Sequence, residues 1–120
     1  MIIIDTNILI DMYNGRFPKN LKPEGQPCTT SINYAEFLYG IKHEDVEQVK
    51  RHFMRNWKIL PLDSESSETF AVIKSKTSKS GKRIPDGDIY IASIVIRNNL
   101  RLITRDKHFK HINDLDATIL

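Results

Sequence analysis

Met1 to Asp11 reads MIIIDTNILID: an unbroken β-branched run at Ile2–Ile4, then Asp5, Thr6 and Asn7, then a second apolar run closed by Asp11. Three consecutive isoleucines without polar alternation suit a strand covered on both faces, the pattern of a parallel sheet held between helices. Such a sheet gathers chemistry at the carboxyl ends of its strands, where the chain leaves the core and the next helix presents its N-terminus. Asp5 stands at that point. The plainer role for it is a cap on the helix expected from about Ile8 to Tyr13, worth roughly 0.5–2 kcal/mol. Asp11 reads as a surface residue of that helix.

The rest of the chain alternates in the same way. GRFPKNLKPEGQP, residues 15–27, carries two glycines and three prolines and is expected to be a loop. TTSINYAEFLYGI (29–41) reads as a helix with Ser31 or Asn33 near its start and Gly40 near its end. In EDVEQVKRHFMRNW (44–57), Val46, Val49, Phe53 and Trp57 form a core-facing helical stripe. KILPLD (58–63) is a short strand, and Asp63 or Ser64 caps the helix SESSETFAVIKSKT (64–77). IPDGDIYIASIVIRNN (84–99) sets Ile89, Ala92, Ser93 and Ile96 on one helix face. LRLIT (100–104) is a further strand, RDKHFKHI (105–112) a turn or short helix, and ATIL (117–120) a last strand. Strands alternating with helices predict an α/β sandwich around a mainly parallel sheet.

The 120 residues, 40% hydrophobic and 28% charged, are expected to form a single globular domain over 1–120. No apolar run approaches the ~20 residues of a membrane span, and MIII lacks the basic leader of a signal peptide, so no membrane partner and a cytoplasmic location are expected. Cys28, the single cysteine, reads as a small packed residue rather than a nucleophile. The net charge of +3 is concentrated in KSKTSKSGKR (74–83) and RDKHFKH (105–111), which permits a polyanionic partner.

Three more acids need explaining, one of them, Asp106, at the end of a strand like Asp5. Asp106 follows the strand LRLIT with only Arg105 between; Asp88 opens the helix DIYIASIVI after a Pro-Asp-Gly turn, with Asp86 as a nearby rival; Glu36 lies among apolar neighbours on its helix. Each has a plain structural role available, as a cap, a turn acid or an outer-face residue. Together they suggest convergence, and converging carboxylates repel one another unless a cation sits among them. An all-oxygen set suits Mg²⁺, or Mn²⁺, and not zinc, because His43, His52, His108 and His111 form no recognised ligand spacing. Carboxylate-held Mg²⁺ keeps several waters and suits phosphodiester hydrolysis.

IIIDTNILID, INYAEFLYGI, DGDIYIASIVIRNN and LRLITRDKHF resemble, in order and spacing, the four motifs of the PIN domain, and within it the VapC-type toxins of toxin–antitoxin pairs. The resemblance runs from Met1 to about His111. It implies a three-layer α/β/α fold, metal-dependent endoribonuclease activity, a homodimer, and a small cognate VapB-like antitoxin whose C-terminal segment crosses the active site. Position by position, it assigns Asp5, Glu36, Asp88 and Asp106 as the catalytic acids, with Asp5, Asp88 and Asp106 binding metal. It also assigns Asn7 and Thr104 to hydrogen bonds with the acids or metal-bound water. Asp88 is preferred to Asp86 because DIYIAS reproduces the family's acid before an apolar pair and then IA.

On that basis one or two Mg²⁺ ions, with Glu36 binding metal or orienting water, are expected to support in-line attack on RNA that leaves a 5′-phosphate and a 3′-hydroxyl. Lys79, Lys82, Arg83, Arg105 and Lys107 are expected to hold the RNA backbone, and Tyr13 or Phe17 offer a weaker expectation of base stacking. Two other readings remain open at this point. One is a non-catalytic PIN-like RNA-binding module, which four intact acids argue against. The other is a phosphatase of the haloacid dehalogenase kind, against which stands Asn7, unable to supply a proton where that family has a second aspartate.

Overall fold

The computed structural model describes residues 1–17, 21 and 25–120. Its elements run β1 (Ile2–Ile4), α1 (Thr6–Tyr13), β2 (Cys28–Thr30), α2 (Ser31–Gly40), α3 (Val46–Asn56), β3 (Lys58–Leu60), α4 (Ser64–Lys79), α5 (Asp86–Arg97), β4 (Arg101–Thr104) and β5 (Ala117–Ile119). Single 3₁₀ turns at His43–Asp45 and Lys107–His111 precede α3 and β5 respectively. The five strands form one sheet in the order β3-β2-β1-β4-β5, and every pairing is parallel.

Alternation along β1 and β4 builds the two halves of the core. Ile3 and Leu102 point to the face covered by α4 and α5, while Ile4 and Ile103 point to the face covered by α1 and α3. Both faces are thus apolar, which is why MIII reads as a continuous run instead of an alternating one. On the second face Phe37, Phe53 and Trp57 pack together, with Phe53 and Trp57 stacked at 4.8 Å between ring centroids. The expected α3 stripe is therefore in the core, buried at Phe53 and Trp57 and half-buried at Val46 and Val49.

Two elements differ from expectation. Cys28–Thr30 is a strand, not the start of the helix that follows, and Thr30 is the residue that caps α2, its hydroxyl accepting from Asn33 N at 3.1 Å. The hydroxyl of Thr29 supplies what a buried threonine requires by donating to the Ile4 carbonyl at 2.7 Å. Cys28 is fully buried and its thiol pKa is pushed up by loss of solvent, so it packs and does not react. The second difference is α5, expected to bury one face but buried almost all round, at Ile89, Ile91, Ala92, Ser93, Ile94 and Val95. The sheet covers one side of it and α4 another, with Phe70 stacked on Tyr90 at 4.1 Å.

Asp63 caps α4, accepting from Ser66 N at 2.8 Å. Of the expected 15–27 loop, residues 18–20 and 22–24 lie outside the described residues. Among the described residues no helix is long and apolar enough to cross a membrane.

Candidate active site

β1 and β4 are neighbours, paired Ile4 to Ile103, so the chain leaves two adjacent parallel strands at the same edge, and Asp5 N donates to the Ile103 carbonyl at 3.0 Å. The order of strands reverses there, since β1 continues to β2 on one side and borders β4 on the other. Open α/β sheets form a crevice at such a point.

Asp5 is 5% exposed and sits at the N-cap position of α1, yet its side chain makes no capping hydrogen bond. Its carboxylate instead receives Thr104 Oγ1 at 2.5 Å and Asn7 Nδ2 at 3.2 Å on Oδ2, and Asn33 Nδ2 at 2.7 Å on Oδ1. Burial raises its pKa, and the Thr104 hydroxyl, the Thr6 backbone and the Asn33 amide oppose that rise. Asn7 also binds Thr104 Oγ1 at 3.3 Å and accepts from Arg105 N at 3.1 Å. Thr104 in turn accepts from Asp106 N at 3.0 Å. One connected set of side chains therefore ties the end of β1 to the end of β4.

Asn33, fully buried on α2, is a member of this set that the sequence marks only as a helix start. Its Nδ2 also reaches Thr6 Oγ1 at 2.9 Å, and Thr6 passes the contact on by donating to Glu36 Oε1 at 2.7 Å. A polar amide three residues ahead of an acid, on a helix otherwise apolar in its core-facing positions, was the available signal. Glu36 itself is exposed at the rim.

Asp88 is the third residue of α5, and its side chain is 17% exposed. Its Oδ2 is buried and has no hydrogen-bond partner among the described residues. Its pKa is pushed up to about 6, first by loss of solvent and then by the charges of Asp106, Asp5 and Glu36, with His108 pulling the other way. Those charges report that all four sequence-identified acids share one neighbourhood. Asp86, the rival to Asp88, is exposed and forms an ion pair with Lys74 at 2.7 Å. Asp106 caps the 3₁₀ turn after β4, accepting from His108 N at 2.9 Å, so the turn role considered for it is real. Arg105 is paired with Asp11 at 2.7 Å, which corrects the reading of Asp11 as a mere surface residue and ties α1 to the end of β4.

Among the described residues Asp88, Asp106 and His108 each offer a ligand atom, all within 4.8 Å of one another. Asp5 is not one of these three. Zinc-like histidine spacings do not pick out His108; the signal in the sequence is Asp-x-His at a turn cap directly after a strand.

A PIN domain family model matches residues 2–115, and the chain belongs to the PIN-domain family. Within that family it is similar to VapC ribonucleases. Ribonuclease VapC1 of Methanocaldococcus jannaschii is 33% identical over 119 residues, 98% of this chain and 85% of that protein. Ribonuclease VapC2 of Haemophilus influenzae is 31% identical over 121 residues, 86% of this chain and 89% of that protein. The crystal structure of VapBC2 from Rickettsia felis bound to a DNA fragment from its promoter superposes with a TM-score of 0.85 at 25% identity, covering 100% of this chain and 99% of that one. The three-layer α/β/α architecture is that of this family, and membership in it sets the phosphatase reading aside.

Proposed function

We propose that this chain is a divalent-metal-dependent endoribonuclease and the toxin of a VapBC-type toxin–antitoxin pair. The observation that carries the metal is Asp88 Oδ2: a buried carboxylate oxygen without a donor among the described residues, beside Asp106 and within reach of the charges of Asp5 and Glu36. Buried polar atoms are ordinarily satisfied, and like charges are not ordinarily assembled without a counter-charge. A divalent cation meets both needs. Similarity to the VapC ribonucleases supports RNA as substrate, and similarity to the Rickettsia felis VapBC2 structure supports a VapB-like antitoxin as partner.

Asp88 and Asp106 would hold Mg²⁺ or Mn²⁺, with Asp5 beside them, held in place by Thr104, Asn7 and Asn33. When bound, the ion lowers the pKa of water and offsets phosphate charge. Glu36, exposed and held by the Thr6 hydroxyl, would orient the attacking water and accept its proton. The hydrogen bonds linking Asp5, Asn7, Thr104 and Asp106 N keep the carboxylates from splaying as they face substrate. Lys82 and Arg83 line a polar recess of about 460 Å³ at the end of α4, with Thr77, Ser78, Gly81 and Lys74, the last engaged by Asp86, and this recess would take the RNA backbone. Lys79 and Lys107 are exposed and add to the basic surface, whereas Arg105 is engaged by Asp11. A single domain over 1–120 acting as a homodimer completes the reading.

The test is cleavage of structured RNA by the purified protein with Mg²⁺ or Mn²⁺, followed on a denaturing gel. Cleavage that EDTA abolishes, and that Asp5→Asn and Asp88→Asn lack, is the expected result. RNA binding without cleavage under either metal, and harmless expression of the wild type, would overturn it in favour of a non-catalytic RNA-binding module.

A further inference from the structure

We infer that His108 is a direct ligand of the ion at this site, through Nδ1, and that the resulting oxygen–nitrogen donor set favours Mn²⁺ over Mg²⁺. The inference rests on the reading of Asp88 and Asp106 as ligands. His108 Nδ1 lies 3.2 Å from Asp106 Oδ1 and 3.8 Å from Asp88 Oδ2. Two donors about 2.1 Å from one ion stand at most about 4.2 Å apart, so both separations allow a shared ion. The Asp88 oxygen in that second contact is the same Oδ2 that has no hydrogen-bond donor among the described residues.

The local fold explains why the ring is there. Asp106 ends the segment leaving β4 and caps the following turn by accepting from the backbone of His108 itself. That one hydrogen bond holds the carboxylate against the His108 backbone, and the His108 ring sits beside both Asp106 and Asp88 of the N-terminal turn of α5. The ring is 57% exposed, leaving Nε2 free to carry the proton of the neutral tautomer while the Nδ1 lone pair serves the ion. Magnesium takes oxygen donors in a near-ideal octahedron and gains little from imidazole, whereas first-row transition ions bind nitrogen readily. A nitrogen among the donors therefore shifts selectivity without altering the acids. The plainer role for His108 is a ring that rests beside the two carboxylates and is displaced when metal enters.

Binding of Mn²⁺ alone and of Mg²⁺ alone to the EDTA-stripped full chain, measured by titration calorimetry, separates these roles without using RNA. Electron spin-echo spectroscopy of bound Mn²⁺ reports directly on a coordinated nitrogen. Wild type is expected to show ¹⁴N coupling that His108→Ala and His108→Gln both lose. Mn²⁺ affinity should fall on the order of tenfold or more in both variants, and Mg²⁺ affinity should change by less than about threefold. His108 is exposed, so the fold of the variants is checked by an unchanged thermal melt. Mn²⁺ binding that needs Asp88 but shows no ¹⁴N coupling and ignores His108→Ala would overturn the ligand role while leaving the metal site standing. Absence of any Asp88-dependent metal binding would overturn both.

Discussion

Asp88→Asn should make the metal-free protein more stable while removing its activity. Asp88 titrates near 6 in the fold against an ordinary 3.8, and two units at 1.36 kcal/mol each put the cost of its charge at about 3 kcal/mol at pH 7. The side chain is only 17% exposed, so solvent screens little of this. The pH dependence has a definite sign. Between the two pKa values the folded chain holds the extra proton, so the contribution is fully present below about 4 and is lost as pH rises through 6. From pH 7 to pH 5 the wild type should recover about 1.4 kcal/mol relative to the variant through protonation of Asp88. The assay is urea unfolding of both proteins in EDTA at pH 7 and pH 5, read by circular dichroism. At saturating Mn²⁺, about 100 times the dissociation constant, the wild type alone should gain about 2.7 kcal/mol. A variant less stable than wild type in EDTA at pH 7, or a gap that does not narrow at pH 5, would refute the claim that Asp88 is held charged among like charges.

Asn33→Ala removes the donor at 2.7 Å from the buried Asp5 carboxylate and should cost about 1–3 kcal/mol in urea unfolding, with RNA cleavage falling as Asp5 loses its anchor. Thr104→Val keeps the shape but deletes the 2.5 Å bond to Asp5 and the acceptor for Asp106 N; a loss of about 1–3 kcal/mol is expected by the same measurement, and a neutral result would show that this link does not hold the strand ends. Lys82→Ala with Arg83→Ala should leave stability within about 0.5 kcal/mol. The same pair should lower the slope of log affinity against log salt by about 0.7 for each phosphate no longer neutralised, measured by fluorescence anisotropy on a labelled single-stranded RNA. An unchanged slope would remove the α4 recess from the RNA path.

The parts of the fold legible in the sequence were those where burial is continuous. Ile2–Ile4 and Leu102–Thr104 announce doubly covered strands, and the periodicity through Phe53 and Ile89 announces helices that pack on them. The strand Cys28–Thr30 was not legible, because Thr29 and Thr30 have the chemistry of a helix start, and Thr30 does serve as the cap of α2. A residue that is both last in a strand and first at a helix end satisfies two local rules, and the parallel pairing of Cys28 with Ile3 and of Cys28–Thr30 with Lys58–Leu60 shows which prevails. The near-complete burial of α5 was equally hidden, since one-face periodicity cannot show that α4 covers a second side.

The site was legible through charge and not through amide or imidazole. Asp5, Asp88 and Asp106 stand out because a carboxylate next to an apolar run needs an explanation, and Glu36 for the same reason on its helix. Asn33 and His108 do not stand out, because an asparagine at a helix start and a histidine in a basic turn each fit a common surface role. Their positions follow from topology: β1 pairs with β4, so the first turn of α2, the end of β1 and the turn after β4 meet, although they are about 30 and 100 residues apart in the chain. Asp5 accepts from Asn33, Asn7 and Thr104, while Asp88 Oδ2 has no donor among the described residues. The two aspartates thereby have different surroundings: Asp5 is tied into the scaffold by three donors, and Asp88 keeps Oδ2 without a donor among the described residues, beside Asp106 and His108. Replacing the three donors to Asp5 should therefore loosen the fold, whereas replacing Asp88 should tighten it, a contrast in sign that repulsion among four equivalent carboxylates would not produce.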